Sequence, residues 1–487
     1  MPARVASASE SVACETSTIV AGIPSLELMH RAGRASADLI RERFPVSRWP
    51  AAVIVAGPGS NGGDGRIVAG VLRESGYRVE VIESSSVPPT AIGGIPLIVD
   101  ALLGTGATGI PRGNISPMIA DVETARAAGA KVVSLDVPSG LDATSGKCDG
   151  ALTADLTLAL GTMKRGLLLS REKCGEILVL DIGLTQGVEL ASLPLLVDQT
   201  WTQSRVPAIP RTAHKGTRKR LAVIGGGRGM AGAAILSGRG ALRSGIGLLH
   251  VLVDAENVGA VHAGIPEALA GQWPETPDAV SALAAVSDVI AIGPGLGQST
   301  RTRRLVETVL RGYHGPVVLD ADALNVFGSD MTALAELLDG RSSIITPHPA
   351  ELGRLLALDT ADVLANRFDV ATDMSRQLGA TVLLKGTPTV VFAPTGERYV
   401  IAAGTAALAT GGSGDILTGI CATLLVQMQD SGESAACGAY VHGRAAELCG
   451  NVRGVTLDDV LHAMPEAWNE KAIMLPPAVI AGLGAAR

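Results

Sequence analysis

The sequence of 487 residues is poor in aromatic side chains, which make up 2% of the chain, and it has only six cysteines. None of the cysteines has the spacing of a zinc site, and six are too few for a disulfide scaffold of this length. No apolar run approaches the ~20 residues of a membrane span, and the first residues lack the apolar core of a secretion signal. We expect a cytoplasmic protein with no membrane partner.

Positive charge is also scarce. The net charge is −7, and one dense basic cluster occurs, at residues 211–220 (RTAHKGTRKR). A nucleic-acid partner is therefore not expected, because such proteins normally carry a basic patch or arm. For the cluster itself, a solvated linker and a phosphate-facing surface both stay open.

What the chain has in abundance is small apolar residues and 60 glycines, within a 47% apolar composition. Two segments share one pattern. Residues 51–57 (AAVIVAG) and 221–224 (LAVI) are short apolar runs that enter glycine-rich loops and then helical patterns. Strand, glycine loop and helix in that order open a parallel α/β sheet. Similar apolar runs predict further strands at 78–83, 97–103, 132–136, 156–160, 177–181, 248–254, 289–293, 317–320, 343–346 and 382–385, and a hairpin at 389–401.

The length predicts two large domains or three smaller ones. The periodic pattern lapses around residues 190–213, where Pro207 and Pro210 occur. The two halves do not align as copies of each other. We therefore predict unrelated domains at 1–205 and 206–487, each an α/β sheet covered on both faces, since the strands are almost continuously apolar.

Three motifs in the first half follow predicted strands: residues 57–65 (GPGSNGGDG), 100–111 (DALLGTGATGIP) and 136–140 (DVPSG). In an open α/β sheet, ligands bind outside the carboxyl ends of the strands. The glycine loop suits an anion at a helix N-terminus, although it is no P-loop because GK[ST] is missing. The converging side-chain oxygens could hold a monovalent cation, or one of them could act as an acid or base. Local turn chemistry explains any single motif, but the set of three less well.

Together with residues 28–33 (LMHRAG) and 181–184 (DIGL), these motifs resemble the NAD(P)H-hydrate epimerase family over residues 15–185. The resemblance implies a Rossmann-like three-layer α/β/α fold and interconversion of the R and S hydrates at C6 of the reduced nicotinamide. It implies Asp136 as the acid/base and a potassium ion held by Asn61, Asp100 and Ser139. The implied substrate contacts are Ser60, Asn61, Gly62, Gly63, Asp64, Gly104, Thr105, Gly106, Ala107, Thr108, Gly109, Ile110 and Asp136.

The first half departs from the family pattern at two positions. Ser60 stands where many members have asparagine, and Thr108 stands where some have lysine. If that lysine takes part in proton transfer, Thr108 puts the rate of epimerisation in doubt, but not the substrate.

In the second half, residues 410–415 (TGGSGD) precede an apolar helix at 416–427. Consecutive backbone N–H groups at a helix N-terminus form an anion hole. A carboxylate just beyond it, here Asp415, can take the proton from a hydroxyl that attacks a phosphoryl group. The alternative for Asp415 is a plain helix cap.

Two further motifs of the second half also follow strands. Residues 385–389 (KGTPT) could line a nucleotide phosphate or ribose, or form an ordinary exposed turn. Residues 346–351 (TPHPAE) hold His348 in a rigid frame between two prolines, which favours contact with substrate over a structural role.

With residues 214–216 (HKG), 232–245, 293–297 (GPGLG) and 320–325 (DADALN), these motifs resemble the ADP-dependent NAD(P)H-hydrate dehydratase family over 212–470. The resemblance implies a ribokinase-like α/β fold, with the S hydrate bound by Ala234, Gly295, His348 and Asp415. It implies nucleotide binding by Lys385, Gly386, Thr387, Pro388, Thr389, Gly411, Gly412, Ser413 and Gly414. The chain departs at Ala350 and Ser413, where glycine and threonine are common, and at 402–409, which leaves the adenine contacts open.

The function that follows is repair of hydrated NADH and NADPH (NADHX and NADPHX), in which ADP is split to AMP and phosphate with Mg²⁺ on its phosphates and K⁺ in the first domain. The residues themselves do not decide between ADP and ATP. We expect a homo-oligomer, as is common for large α/β enzymes. Two alternatives are a ribokinase-like small-molecule kinase with an accessory nucleotide-binding domain, and a nucleotide-binding regulator without catalysis.

Overall fold

A computed structural model describes residues 2–85, 92, 94, 96–185, 187–471 and 475–486. The chain forms two compact units, one made of residues 1–196 and 473–487 and the other of residues 197–472. Among the described residues, no helix is both long and apolar enough to cross a lipid bilayer.

The strands carry the sheets of the two units and are numbered here in chain order. They are β1 (Val5–Ala6), β2 (Ala51–Ala56), β3 (Arg78–Glu83), β4 (Leu97–Ala101), β5 (Lys131–Leu135), β6 (Leu156–Leu160), β7 (Met163–Lys164), β8 (Glu176–Leu180), β9 (Leu195–Leu196), β10 (Arg220–Ile224), β11 (Leu248–Val253), β12 (Leu269–Gln272), β13 (Val289–Ile292), β14 (Val317–Leu319), β15 (Ser343–Ile345), β16 (Thr381–Leu384), β17 (Thr389–Phe392), β18 (Arg398–Ile401) and β19 (Val479–Leu483).

The helices fill most of the gaps between strands. They are α1 (Ala8–Val20), α2 (Ser25–Arg43), α3 (Ser60–Glu74), α4 (Ile115–Ala127), α5 (Arg165–Leu169), α6 (Val188–Ala191), α7 (Gln199–Arg205), α8 (Ala231–Arg243), α9 (Val258–Gly264), α10 (Pro277–Ala284), α11 (Thr300–Gly312), α12 (Asp322–Asn325), α13 (Met331–Leu338), α14 (Pro349–Leu356), α15 (Thr360–Ala365), α16 (Thr372–Leu378), α17 (Ser413–Met428), α18 (Ser431–Leu448) and α19 (Leu457–Asn469).

The sheet of the first unit has the order β19-β8-β6-β5-β4-β2-β3. Its neighbouring strands are parallel except for β19, which runs antiparallel to β8. Two hydrophobic clusters lie on opposite faces of this sheet. Consecutive residues of one strand belong to different clusters, as Val53 and Ile54 of β2 do. Both faces of the sheet are therefore buried, which confirms the α/β prediction and the covered parallel sheet.

The division into units differs from the predicted domains, 1–205 and 206–487. The first unit ends at residue 196 and takes back the end of the chain, because β19 supplies an edge strand to β8. The predicted second domain, by contrast, includes residues 473–487. The pairing of β19 with β8 joins segments far apart in sequence, and nothing in the local pattern of an edge strand names its partner.

The sheet of the second unit runs β12-β11-β10-β13-β14-β15-β16-β17-β18. It is parallel as far as β16, and the predicted hairpin of β17 and β18 closes it in antiparallel pairing. Helix α17 packs against α8 at very short range. A Cβ on Gly419 of α17 would come 1.9 Å from the carbonyl oxygen of Ser237 on α8. Glycine is required there because two backbones meet.

That close approach gives a stability prediction. Gly419→Ala should lower the free energy of unfolding of the second unit by about 1–3 kcal/mol or more, since the added methyl must push α8 away. This corresponds to a fall in melting temperature of roughly 2–4 °C per kcal/mol. The control is Gly259→Ala in α9, where a Cβ meets nothing within 4 Å. Equal thermal stability of the two variants would contradict the assignment.

Candidate active sites

The first unit has a cavity of about 560 Å³ at the carboxyl ends of β2, β4 and β5. This volume suits a small organic ligand. Side chains from α1 and α2 line one side, and the loops after the three strands line the other. Of the predicted substrate contacts, those that line it are Ser60, Asn61, Asp64, Gly104, Thr105, Gly106, Ala107 and Asp136.

Five predicted contacts are not among the cavity's lining residues. Thr108, Gly109 and Ile110 are exposed to solvent. Gly62 and Gly63 lie in the first turns of α3, which begins at Ser60 rather than after the glycine motif. A Cβ on Gly62 would come 1.9 Å from the carbonyl oxygen of residue 57, so this glycine is needed for the tight turn itself. Within the motif, the side chains that line the cavity belong to Ser60, Asn61 and Asp64.

Asp136 is held in a left-handed conformation, with φ of 66°, at the end of β5. Its Oδ1 lies 2.5 Å from Nζ of Lys164. Its Oδ2 accepts hydrogen bonds from the backbone N–H of Thr105 at 2.9 Å and from the Thr105 hydroxyl at 2.5 Å. Burial opposes the charged form, but the ammonium and the Thr105 bonds outweigh it and lower the pKa of Asp136. The carboxylate is therefore ionised at neutral pH.

Lys164 is a residue of this site that the sequence interpretation missed. Its side chain is 1% exposed, and Nζ also donates to the carbonyl of Leu160 at 2.7 Å. The short parallel pair β1–β7 sets Ala6 opposite Lys164 and fixes its backbone. The available signal was a lysine between two apolar stretches directly after a buried strand (LALGTMKRGLLL), since a buried lysine needs a carboxylate partner.

Two more carboxyl groups face the same cavity. Burial and the nearby charge of Asp136 raise the pKa of Asp64 to about 8, and Oδ1 of Asp64 is buried without a hydrogen-bond partner. Burial likewise raises the pKa of Glu15, although Lys164 opposes the shift. The cavity therefore combines one carboxyl that is ionised at neutral pH with another that keeps its proton. Such divergent pKa values are typical of acid/base pairs.

The predicted potassium ligands are connected by hydrogen bonds, since Ser139 donates to Asp100, and Asn61 and Ser139 both donate to the carbonyl of Leu103. Asp100 is fully buried, and its carboxylate accepts from the Ser139 hydroxyl at 2.5 Å, the Ser139 N–H at 2.9 Å and the Ser134 hydroxyl at 2.9 Å. Burial raises the pKa of Asp100 in spite of these bonds. Asn61 donates to the carbonyl of Leu103 at 2.9 Å, and its Oδ1 is buried without a partner.

This donor set fits a hard monovalent cation. All of its atoms are oxygens, the unpartnered Oδ1 of Asn61 offers a free ligand, and a cation would favour the ionised form of Asp100.

In the second unit, Asp415 lies in the first turn of α17. Gly412 caps this helix with φ of 97°, a left-handed conformation that suits glycine, and Ser413 follows as its first residue. Burial and the charge of Asp320 raise the pKa of Asp415 to about 7, while Lys385 opposes the shift. The structure thus brings a carboxyl poised near neutrality to a helix N-terminus, where backbone N–H groups favour anions.

Lys385 follows β16 and forms a buried network behind that helix start. Its Nζ lies 2.8 Å from Oδ1 of Asp320 and 3.9 Å from Oε2 of Glu351. The Thr418 hydroxyl of α17 donates to the other oxygen of Asp320 at 2.7 Å. A Cβ on Gly414 would come 3.3 Å from the Lys385 ammonium. Asp320, Glu351 and Thr418 were not among the predicted site residues, because their role is to hold Lys385 rather than to face solvent.

The predicted hydrate contacts of this unit have different surroundings. Gly295 follows β13, and its carbonyl accepts from the N–H of Gly227 at 2.6 Å. Ala234 is fully buried in α8. His348 caps α14, and its Nδ1 accepts from the backbone N–H of Ala350 at 3.2 Å. Nε2 of His348 lies 3.5 Å from Oε1 of Glu351, and 49% of the His348 side chain is exposed, so the ring is accessible to a ligand.

The remaining predicted nucleotide contacts lie in two loops. Gly386 and Thr387 are exposed and Pro388 is buried in the turn between β16 and β17, with Thr389 beginning β17. Gly411 is exposed just before α17. The two loops lie close together, since a Cβ on Gly414 would come 3.3 Å from Nζ of Lys385.

The ion pair of Lys164 and Asp136 gives a prediction on pKa. In Lys164→Met, the carboxyl stays buried but loses its ammonium, so its pKa should rise from below to above the ordinary aspartate value. Carbon-13 NMR titration of aspartate carboxyls measures this, with Asp136→Asn to assign the signal. Stability that the pair contributes in the native chain is present above the unfolded pKa and is lost as the pH falls through the lowered folded pKa.

The control for this titration is Lys131→Met, which removes a surface ion pair to Asp155 of 2.8 Å. It should leave the Asp136 signal unchanged. An Asp136 pKa that is the same in Lys164→Met as in the native chain would refute the pairing.

Comparison with family models divides the chain as the structure does. A model described as "NAD(P)H-hydrate dehydratase" matches residues 221–466, and one described as "YjeF-related protein N-terminus" matches residues 25–91 and 82–166. Both candidate sites therefore lie within matched segments, apart from α1 and its Glu15.

Full-length relatives and a solved structure agree. The chain is 34% identical to the bifunctional NAD(P)H-hydrate repair enzyme Nnr of Escherichia coli, covering 92% of this chain and 91% of that protein. It is 32% identical to the enzyme of the same name from Moorella thermoacetica, covering 95% and 96%. A ribokinase-like superfamily protein from Enterococcus faecalis matches with a TM-score of 0.50 and 28% identity over 56% of this chain and 95% of that one. The chain belongs to the family of bifunctional NAD(P)H-hydrate repair enzymes.

Proposed function

We propose that the first unit interconverts the R and S hydrates of NADH and NADPH, and that the second unit dehydrates the S form while ADP is split to AMP and phosphate. The observation that carries this is a pair of separate carboxyl sites in one chain, one buried and one half-buried. Asp136 lies in the cavity of the first unit and Asp415 at the start of α17 in the second. Two separate sites suit two reactions on one substrate, and the relatives are named bifunctional NAD(P)H-hydrate repair enzymes.

In the first unit, the chemistry follows from the hydrate itself. Its C6 carries a hydroxyl next to the ring nitrogen, whose lone pair expels that oxygen once it is protonated. The resulting C6 is planar, and water can add to either face. Asp64, with a pKa of about 8, keeps a proton to donate, and the ionised Asp136 can take one from the incoming water. The exchange conserves atoms and protons.

In the second unit, Asp415 takes the proton of the C6 hydroxyl of the S hydrate. The oxygen attacks the β-phosphoryl of ADP, and the N–H groups of residues 411–414 stabilise the charge that develops. Phosphate leaves C6 as the ring nitrogen donates electrons, and loss of a proton restores the dihydronicotinamide. A pKa of about 7 suits Asp415 as a general base at neutral pH.

Two cations belong to the proposal. Asn61, Asp100 and Ser139 would hold potassium, which supplies positive charge beside Asp100. Magnesium neutralises the phosphates of ADP when it is bound. Among the described residues, no group of three histidine, cysteine or acidic side chains is arranged to hold a metal, so magnesium would enter with the nucleotide. A homo-oligomer in the cytoplasm completes the proposal.

Separate sites predict separable activities. Asp415→Asn should abolish dehydration and leave exchange of R and S hydrates intact, because the first cavity is unchanged. Asp136→Asn should do the reverse. Chromatography of the two hydrates together with absorbance of the reduced nicotinamide measures both, with exposed Asp373→Asn as the control. Loss of both activities in either variant would contradict the two-site proposal. A stable phosphorylated product in the native enzyme would favour the small-molecule kinase.

The pKa of Asp415 predicts a pH profile. A general base works in its ionised form, so kcat/KM for dehydration should fall as the pH drops through about 7. Lys385→Met removes the positive charge that lowers this pKa, so the limb should move to higher pH. A flat profile across the neutral range, or a shift to lower pH in the variant, would contradict the role.

A further inference from the structure

Arg367 is a buried cation of the second unit that neither active-site description uses. It lies just after α15, and it is 6% exposed. One guanidinium nitrogen donates to the carbonyl of Thr387, and Nε is buried without a hydrogen-bond partner. Burial lowers its pKa, and no carboxylate in the described part of the chain offsets the effect. Arginine nevertheless stays protonated in proteins.

The buried lysines of the two sites are different in this respect. Nζ of Lys164 lies 2.5 Å from Asp136, and Nζ of Lys385 lies 2.8 Å from Asp320. Lys385 begins the loop of residues 385–389, to which Arg367 donates a hydrogen bond at Thr387. The charge of Lys385, however, is already neutralised by Asp320. A buried charge left without a partner is strongly unfavourable. The missing negative charge beside this loop is therefore expected to come from a ligand.

The loop of residues 385–389 also leaves space through which a ligand can approach Arg367. Gly386 is exposed, and a Cβ at that position would come 3.0 Å from the terminal nitrogen Nη2 of Arg367. Since glycine has no side chain, that space is open. An oxygen atom lying over the loop can thus come close to Nη2 of Arg367, on the same guanidinium as the unpartnered Nε. Guanidinium donors match the spacing of phosphate oxygens and can bind two of them at once.

We propose that Arg367 binds a phosphate oxygen of the nucleotide that lies on the loop of residues 385–389, and that it makes this site select nucleoside phosphates over nucleosides. The inference rests on the proposed use of a nucleotide by the second unit and adds a binding residue to it. In this arrangement Lys385 orders the start of α17 through Asp320, and Arg367 supplies the positive charge that the phosphate chain meets.

The test is binding of ADP and of adenosine to the full chain, by calorimetry and saturation-transfer NMR, without hydrate present. Arg367→Gln keeps a polar side chain, although a shorter one, and removes the charge, so adenosine binding reports any effect of the lost bond to the Thr387 carbonyl. It should weaken ADP binding about ten- to a hundredfold, the effect of losing a charged hydrogen bond, and leave adenosine binding unchanged. Arg367→Lys keeps the charge and should recover part of the affinity.

The matched control is Arg341→Gln, whose guanidinium donates to the backbone carbonyls of Tyr313 and Leu310. It should bind ADP as the native chain does. Equal loss of ADP and adenosine binding in Arg367→Gln would show that the residue only holds the loop, and unchanged ADP binding would show that it meets no phosphate; either overturns the inference. A native chain that binds ADP but dehydrates no hydrate would refute the proposed function and leave this inference standing.

Discussion

Parallel pairing of the strands is the constraint from which both sites follow. In the first unit, the register places Asp100 of β4 beside Val55 of β2 and Ser134 of β5. The loops that follow these strands therefore all begin at the same edge of the sheet, beside one another. Side chains from three loops that are remote in sequence converge there. The same rule brings Asp320 and Lys385, which follow β14 and β16, to one edge in the second unit.

Charged side chains that converge at a buried sheet edge must be stabilised without water. An ionised side chain without water needs an opposite charge or hydrogen bonds, and removing one partner of a buried pair costs about 3–5 kcal/mol. Asp136 has Lys164 and the hydroxyl of Thr105. Asp64, close by but without such a partner, keeps its proton instead. The two carboxyls in this cavity differ in pKa because only Asp136 has a cationic partner. This difference gives the first unit both an acid and a base.

The sequence was sufficient for the central parallel strands, because strands buried on both faces are short apolar runs that need no distant information, but it did not predict the edge strands β12 and β19. It also pointed to loop residues near the strand ends, since Asp136 directly follows a predicted strand and Asn61 and Asp415 lie in glycine-rich motifs. It did not identify the partners of those residues. Lys164 is fixed by β1, a strand of two residues at the other end of the unit, and Lys385 by Asp320. Such contacts depend on the fold as a whole.

The pairing of β19 with β8 has a consequence for how the two activities are joined. Residues 197–472 lie within the chain path of the first unit rather than after it, because the strand that follows them returns to the first sheet. Without that strand, β8 would be an edge with unpaired N–H and C=O groups, which is a site of aggregation. The first sheet is therefore complete once the second unit has been synthesised. The chain thus passes from the first unit into the second and back, so the first sheet takes strands from both sides of the inserted unit in the sequence.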